Sequence, residues 1–473
     1  MKESFYITTT LPYVNADPHV GFALELVQAD VIARYQKLKG REVFFNTGTD
    51  EHGIKIFRNA GEMGMEPIKY ADQYSERFQA LTQELGITEH NFVRTTSEDH
   101  KKAAQAFWKK CEEKGDIYKK NYKVKYCVGC ELEKTDSELT DGKCPLHPNV
   151  DIEVIEEENY FFKFSNYQDK LLELYKNNPE FVLPGARMNE ITSFVERGLQ
   201  DFSISRLKEK MPWGVEVPGD PEHVMYVWFD ALSNYISVIG WPEKEEEFKK
   251  WWPGVQVAGK DNLRQQSAMW QAMLMSAGLP SSKKILIHGF INSGGQKMSK
   301  SLGNVIDPRE IIKEYGADAL RYYLVREVNT FEDSDMTMER FKEAYNANLA
   351  NGLGNLTARI MKLAETHLEK PVECKKSQID PGILGELDLF EIQKVADLLW
   401  EHIGHVDVLI QKEKPFEVIK TEKEKGIETI KILVEKLNVI AINLEPFMPE
   451  TSKKIKMAIK ENKMPEPLFK RLD

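Results

Sequence analysis

The sequence predicts an α/β protein: a doubly wound parallel sheet of Rossmann type, interrupted by an inserted domain that carries a zinc knuckle and followed by an α-helical bundle. Three observations carry this expectation. Strand-like and helical runs alternate near the start and again past the middle of the chain, cysteines cluster between those two stretches, and the last third reads as almost unbroken helix. With 473 residues, 41% of them hydrophobic, the chain can bury a large core and hold two to four domains.

The first run, Phe5 to Thr10, is rich in aromatic and β-branched residues. It breaks at Leu11-Pro12-Tyr13 and gives way at Gly21 to a helical pattern that ends at Gly40. A second strand-like run, Glu42 to Asn46, enters the polar loop Gly48-Thr49-Asp50-Glu51-His52-Gly53. Two strands with a crossover helix open a parallel sheet, and with the helical stretch His100 to Lys114 they form a first half-domain, 1–115. Short β-like pieces then run to about Pro218 and are read as an inserted domain, 116–218. Val224 to Phe229, Gly254 to Ala258 and Lys284 to His288 read as strands, with a helix from Asn262 to Ala277, so that 219–306 completes the sheet. Asp307-Pro308 is a good helix start. From there linking helices, 307–345, lead into a bundle, 346–473, in which the charge-dense Lys412 to Lys425 reads as a solvated helix and turn.

The net charge of −11 argues against indiscriminate binding of polyanions while leaving room for a local basic surface that meets RNA. Met1 to Thr10 shows no charged leader with an apolar core, and no run approaches the roughly 18 apolar residues that span a bilayer. A cytoplasmic protein with no membrane contact is expected. Of the five cysteines, Cys127, Cys130 and Cys144 crowd together while Cys111 and Cys374 stand alone, which is the arithmetic of a metal site and unlike a disulfide framework. Cys127-Val128-Gly129-Cys130 and Cys144-Pro145-Leu146-His147 supply three thiolates and an imidazole in two tight turns, the donor set of tetrahedral zinc. Four protein ligands leave no open position, so the metal, one per chain, is expected to be structural.

Two further segments carry chemistry. His19-Val20-Gly21-Phe22 lies where the first strand hands over to the first helix, the place where a doubly wound fold binds phosphate. Gly21 lets a nucleotide approach the backbone, and His19 can donate to a phosphate oxygen. Far along the chain, Gly294-Gly295-Gln296-Lys297-Met298-Ser299-Lys300-Ser301 is a glycine-hinged loop whose lysines can neutralise a triphosphate as charge builds in transfer. Alone, the first is also what a structural turn looks like, and the second what a solvated loop looks like.

Together the two segments resemble the paired signatures of class I aminoacyl-tRNA synthetases, His-x-Gly-His and Lys-Met-Ser-Lys-Ser. The second is matched in full; in the first, Phe22 stands where a second histidine is usual. Leu11-Pro12-Tyr13-Val14-Asn15, Gly48 to Gly53, Tyr226-Val227-Trp228-Phe229-Asp230-Ala231 and Gly259-Lys260-Asp261 are similar, in order, to blocks of the methionyl-tRNA synthetase family, and the resemblance spans essentially the whole chain. It implies that Leu11, Tyr13, Trp228, Ala231, Tyr235 and Trp270 line a methionine pocket, that Asp50 takes the substrate ammonium, and that His19, Gly21, Lys297, Ser299 and Lys300 hold ATP with its magnesium. Arg206 matches an arginine near the reacting centre. Apolar and aromatic walls suit a thioether, which has no hydrogen-bonding group of consequence. Gln266 replaces a usual histidine and Asn262 a usual apolar residue at the pocket rim.

In the helical end Asn355 and Arg359 share a helix face, and Phe416 follows Pro415 at a loop-to-helix junction. By the resemblance these positions read the CAU anticodon of methionine tRNA, with Phe416 in place of a tryptophan. The implied activity is methionine-tRNA ligase: methionine is activated with ATP and passed to the terminal ribose of its tRNA. Two rivals are weighed. A synthetase for leucine, isoleucine or valine needs a large editing domain, because one methylene is worth only about 1–3 kcal/mol of discrimination, and the insertion is too short for one. A non-catalytic RNA-binding paralogue, suggested by Phe22, has no reason to keep the Lys297 to Ser301 loop. Some relatives continue into a C-terminal domain that dimerises them; this chain stops at Asp473 with the bundle barely finished, and a monomer is expected.

Overall fold

The computed structural model describes residues 2–134, 136–298, 303–374 and 380–472. Six strands form one parallel sheet: β1 (Ser4–Thr8), β2 (Glu42–Thr49), β3 (Asn91–Arg94), β4 (Val182–Leu183), β5 (Val255–Gly259) and β6 (Lys284–His288). Their spatial order is β3-β2-β1-β5-β6-β4. The strand order reverses between β1 and β5, so the carboxyl ends of those strands open the crevice in which a doubly wound sheet binds ligand.

Helix α1 (Val20–Leu38) crosses from β1 to β2 and is buried along most of its length. A helix so enclosed carries polar residues only where they are paired. Asp30 is one of these: it meets Arg34 at 2.7 Å and Arg321 at 2.7 Å. Arg321 is itself fully buried, and its guanidinium also donates to the carbonyl of Leu85 at 3.3 Å and to those of Phe447 and Pro446, at 2.7 and 2.8 Å, in the C-terminal bundle.

The insertion after the helix Glu98–Glu113 holds an antiparallel sheet in which Ile117–Cys127 pairs with Glu153–Phe162. Continuous short β pieces were expected up to Pro218, and the structure departs from this. Helices Gln168–Asn177 and Gly185–Glu196 intervene, and β4 between them joins the edge of the main sheet beside β6. Their apolar residues Leu171, Tyr175, Ile191 and Val195 recur at helical spacing and are buried, a period that outweighs the local β-branched content. A second correction falls on the expected strand Val224 to Phe229. Asp220–Met225 is a strand, but of a small antiparallel sheet, and the chain turns helical at Val227–Leu232. Beyond Asp307, whose carboxylate caps Arg309 N at 2.8 Å, the described chain is almost wholly helical, as the pattern requires. No described helix is long and apolar enough to cross a membrane.

Candidate active site

A cleft of about 510 Å³ lies at the switch point of the sheet. It is lined from the loop after β1 by Leu11 and Tyr13, from the start of α1 by His19, Gly21 and Phe22, after β2 by Asp50, and by Trp228, Ala231 and Tyr235 of the segment behind Tyr226. Asn262 and Gln266 line it from the turn after β5, Lys297 from the strand Gln296–Lys297, and Gly129, Cys130, Glu131 and His147 from the insertion. The sequence therefore scattered over most of the chain what the fold gathers into one cleft. Ser299, Lys300 and Ser301 of the basic loop lie outside the described residues.

At one end of the cleft, His19 caps α1: its Nδ1 accepts from Gly21 N at 3.0 Å. That bond leaves the ring proton on Nε2, where it can donate. Crowding by the cleft walls and the charge of Lys297 push the His19 pKa below its ordinary value, so the imidazole is neutral at pH 7. A Cβ on Gly21 would come within 2.8 Å of the His19 ring, which explains the glycine. Phe22 packs edge-on against Phe78 with ring centroids 5.0 Å apart, an arrangement in which an aromatic ring is at home. Glu25 and His288, neither foreseen from the sequence, also line the cleft and pair at 3.0 Å, while Glu25 Oε1 accepts from Thr10 N and Oγ1, both at 2.6 Å. Only a long-range pairing of α1 with β6 reveals them, and no local signal marks it.

At the other end, Asp50 is held by its neighbours. Glu51 is fully buried and pairs with Arg94 at 2.7 Å, and its backbone N–H donates to Thr95 at 2.9 Å. Val14 N donates to Asp50 O at 3.1 Å and Asp50 N to Pro12 O at 3.0 Å, which fixes the loop against the Tyr13 segment. Asp50 Oδ1 is buried and has no hydrogen-bond partner. Burial, with Asp230 and Glu131 adding negative charge, raises the Asp50 pKa well above the carboxylate range. Asp230 behaves oppositely: burial alone pushes it up, but His52 at 2.6 Å and His100 at 2.8 Å outweigh this and hold it at about 2.

Two expected residues are placed differently. Trp270 is fully buried one layer behind the wall, its ring 5.9 Å from that of Tyr235, and does not line the cleft. It serves as backing for Tyr235, because the helix turn between Gln266 and Trp270 is wound as a π-turn that presents Gln265 and Gln266 to the cleft instead. Arg206 is also absent from the lining. It donates to Ser203 Oγ at 2.8 Å and lies over the rings of Tyr126 and Tyr226, at 5.2 and 4.5 Å. Gln266 sits in a buried chain in which Gln256 Nε2 donates to its Oε1 at 3.0 Å and its Nε2 donates to Tyr235 OH at 2.7 Å. That pairing makes sense of an amide where a histidine is usual.

The candidate metal ligands Cys127, Cys130, Cys144 and His147 converge, with all donor atoms within 4.8 Å of one another. Cys130 Sγ and Cys144 Sγ are 3.9 Å apart and Cys127 Sγ lies 3.9 Å from His147 Nδ1. Zinc with bonds of about 2.3 Å to sulfur needs tetrahedral edges of about 3.8 Å, so the set fits. Gly129 makes room for it: a Cβ there would strike the His147 ring at 2.4 Å.

In the bundle, Asn355 is exposed and Arg359 half-buried on the helix Asn355–His367, and Phe416 is 43% exposed at the start of Pro415–Thr421. Arg359 is ion-paired with Asp407 of the helix Ile392–Glu413, whose end leads into Phe416.

A doubly wound sheet with this cleft, a histidine-capped first helix and an inserted Cys3His turn suits a class I aminoacyl-tRNA synthetase, and the family model for "tRNA synthetases class I (M)" matches residues 5–151 and 148–361. The chain belongs to the methionyl-tRNA synthetase family. Methionine-tRNA ligase of Thermotoga maritima is 39% identical over 99% of this chain and 80% of its own, and that of Rickettsia bellii 40% identical over 100% and 95%. The solved Mycobacterium tuberculosis methionyl-tRNA synthetase in complex with methionyl-adenylate superposes with a TM-score of 0.89 at 36% identity, covering 96% of this chain and 93% of that one.

Proposed function

We propose that this chain activates methionine with ATP and transfers it to methionine tRNA, with the two ends of the cleft dividing the first reaction. The observation that carries the proposal is Asp50 Oδ1, a buried carboxylate oxygen without a partner beside an apolar wall of Leu11, Tyr13, Trp228 and Ala231. A buried acceptor left unpaired is costly, and a substrate ammonium satisfies it. The thioether then lies on the apolar side, near Tyr235.

At the nucleotide end, His19 Nε2 donates to a phosphate, and the N-terminus of α1, opened by Gly21, receives its negative charge. Lys297 neutralises charge on the departing pyrophosphate, joined by Lys300 and Ser299 of the same loop. No side chain acts as nucleophile: the methionine carboxylate attacks the α-phosphate, and the protein contributes position and charge. Magnesium accompanies ATP and offsets phosphate charge. Arg206, packed over the rings of Tyr126 and Tyr226, supports the residues that hold Glu131 at the cleft. Zinc, one per chain, is held by Cys127, Cys130, Cys144 and His147 and braces the insertion without an open position for chemistry. Asn355, Arg359 and Phe416 read the anticodon, whose unstacked bases suit a fork of donors and an exposed ring. The monomeric state and the cytoplasmic setting belong to the same proposal; light scattering at the eluting peak of a sizing column reads the first.

The test is amino-acid-dependent exchange of pyrophosphate into ATP, run across the twenty amino acids. Methionine is expected to support it far better than any other, and faster exchange with leucine, isoleucine or valine overturns the assignment.

A further inference from the structure

Glu131 follows the metal-ligand candidate Cys130 directly, yet its side chain belongs to the cleft. Its backbone is left-handed (φ 52°), a conformation a non-glycine residue takes only when its surroundings hold it there. The residue is 6% exposed, and its carboxylate is met by three donors. Tyr13 OH reaches Oε1 at 2.8 Å, Lys55 N reaches the same oxygen at 3.2 Å, and Tyr126 OH reaches Oε2 at 2.7 Å. The Tyr226 hydroxyl donates to its backbone carbonyl. Gly53, three residues after Asp50, passes close by: a Cβ there would sit 2.4 Å from Tyr13 OH and 3.2 Å from Glu131 Oε1. Three separate segments, the Tyr13 loop, the Asp50 loop and the knuckle, thus meet at one carboxylate.

We propose that Glu131 is a positioning residue for the methionine pocket, tying the Cys3His knuckle to the hydroxyl of Tyr13 and so fixing the wall beside Asp50. The inference rests on the reading that this cleft takes methionine. Its charge also adds to the negative field that draws an ammonium to Asp50. A merely structural brace of the insertion would leave Tyr13 out, whereas here the phenol is the best-placed donor from the substrate wall, and a bond from a neutral donor to a carboxylate is among the stronger hydrogen bonds available to it.

The experiment measures methionine binding by equilibrium dialysis without ATP, zinc content, and the KM values of methionine and ATP in pyrophosphate exchange. It uses the unmodified protein, Glu131→Gln, Tyr13→Phe and the double variant. Glu131→Gln is expected to keep its zinc and an ATP KM within about twofold while methionine binding weakens about tenfold or more, the effect of one charge-assisted bond. Because Tyr13→Phe already lacks the tie, adding Glu131→Gln to it should cost clearly less than the same change costs alone. If Glu131→Gln does not fold, Glu131→Asp, which keeps the charge but withdraws it from Tyr13 by one methylene, should show the same split. Unchanged methionine binding with zinc retained overturns the proposal, as do fully additive losses or a joint fall in zinc, methionine and ATP binding. Absence of methionine binding by the unmodified protein instead overturns the reading of the cleft.

Discussion

Arg359 and Asp407 form an ion pair between two helices of the bundle, and the second oxygen of Asp407 accepts from Gln411 at 2.7 Å. The guanidinium expected to meet the anticodon is therefore held in place before any base arrives. Such a planar fork can bond a base edge or stack on its face. Arg359→Ala and Asn355→Ala are expected to leave methionine-dependent pyrophosphate exchange near normal while charging of methionine tRNA falls about tenfold or more, since a base contact is typically worth about 1–3 kcal/mol. High tRNA concentration should restore part of the loss. Equal losses in both assays point to a misfolded bundle, and unchanged charging in both variants places anticodon reading elsewhere.

Metal analysis of freshly purified protein should find one zinc per chain. Cys144→Ala should abolish it, because Cys144 lies 3.9 Å from Cys130 and 4.0 Å from His147 within the cluster. Protein that is fully folded and active with no zinc contradicts the assignment.

The raised pKa of Asp50 gives methionine binding a pH dependence with a definite sign. In the empty cleft burial and neighbouring carboxylates favour the protonated acid. An ammonium needs the carboxylate, so binding must expel that proton, and affinity should rise with pH through the raised pKa until the substrate amine itself titrates. Dialysis at a series of pH values above the ordinary carboxylate range reads this, and Asp50→Asn should bind weakly with a flat profile. Affinity that falls steadily with rising pH over that range contradicts the role given to Asp50.

Phe22→His should keep ATP binding equal or better, since the new imidazole reaches the nucleotide end beside His19. The edge-on contact with Phe78 is lost, which should cost roughly 0.5–1.5 kcal/mol of stability. Thermal melting and the KM for ATP separate the two effects. A collapse of exchange in a variant that still melts cooperatively shows that the nucleotide end is built on other contacts.

Trp228 forms part of the cleft wall, whereas Trp270 only backs it. Trp228→Ala is expected to raise the methionine KM strongly and leave the ATP KM nearly unchanged, while Trp270→Ala should act mainly on stability, as removal of a buried aromatic typically costs about 3–5 kcal/mol. Finding the reverse pattern in exchange kinetics and melting curves returns Trp270 to the wall.

Much of this molecule was legible because its signals are local. The cysteine spacing, the Asp307-Pro308 helix start and the β6 run Lys284 to His288 depend on residues within a few positions of one another, and each stands where expected. What escaped depends on contacts between distant segments. Val224 to Phe229 has the composition of a core strand, but Tyr226 turns the chain into a helix that delivers Trp228 and Ala231 to the cleft. Trp270 and Tyr235 both look like pocket residues, and only the π-turn before Trp270 decides which of them lines the cleft. Glu131 resembles any acidic residue beside a knuckle until its left-handed backbone turns it inward.

The Asp30 and Arg321 pair has a mechanical consequence. It fastens helix α1 to the C-terminal bundle through two carbonyls, at a point where neither side can slip without stranding a buried charge, a penalty of about 3–5 kcal/mol. The nucleotide-side helix and the bundle are consequently locked across a buried charge, so that any shift of one against the other must first break that pair.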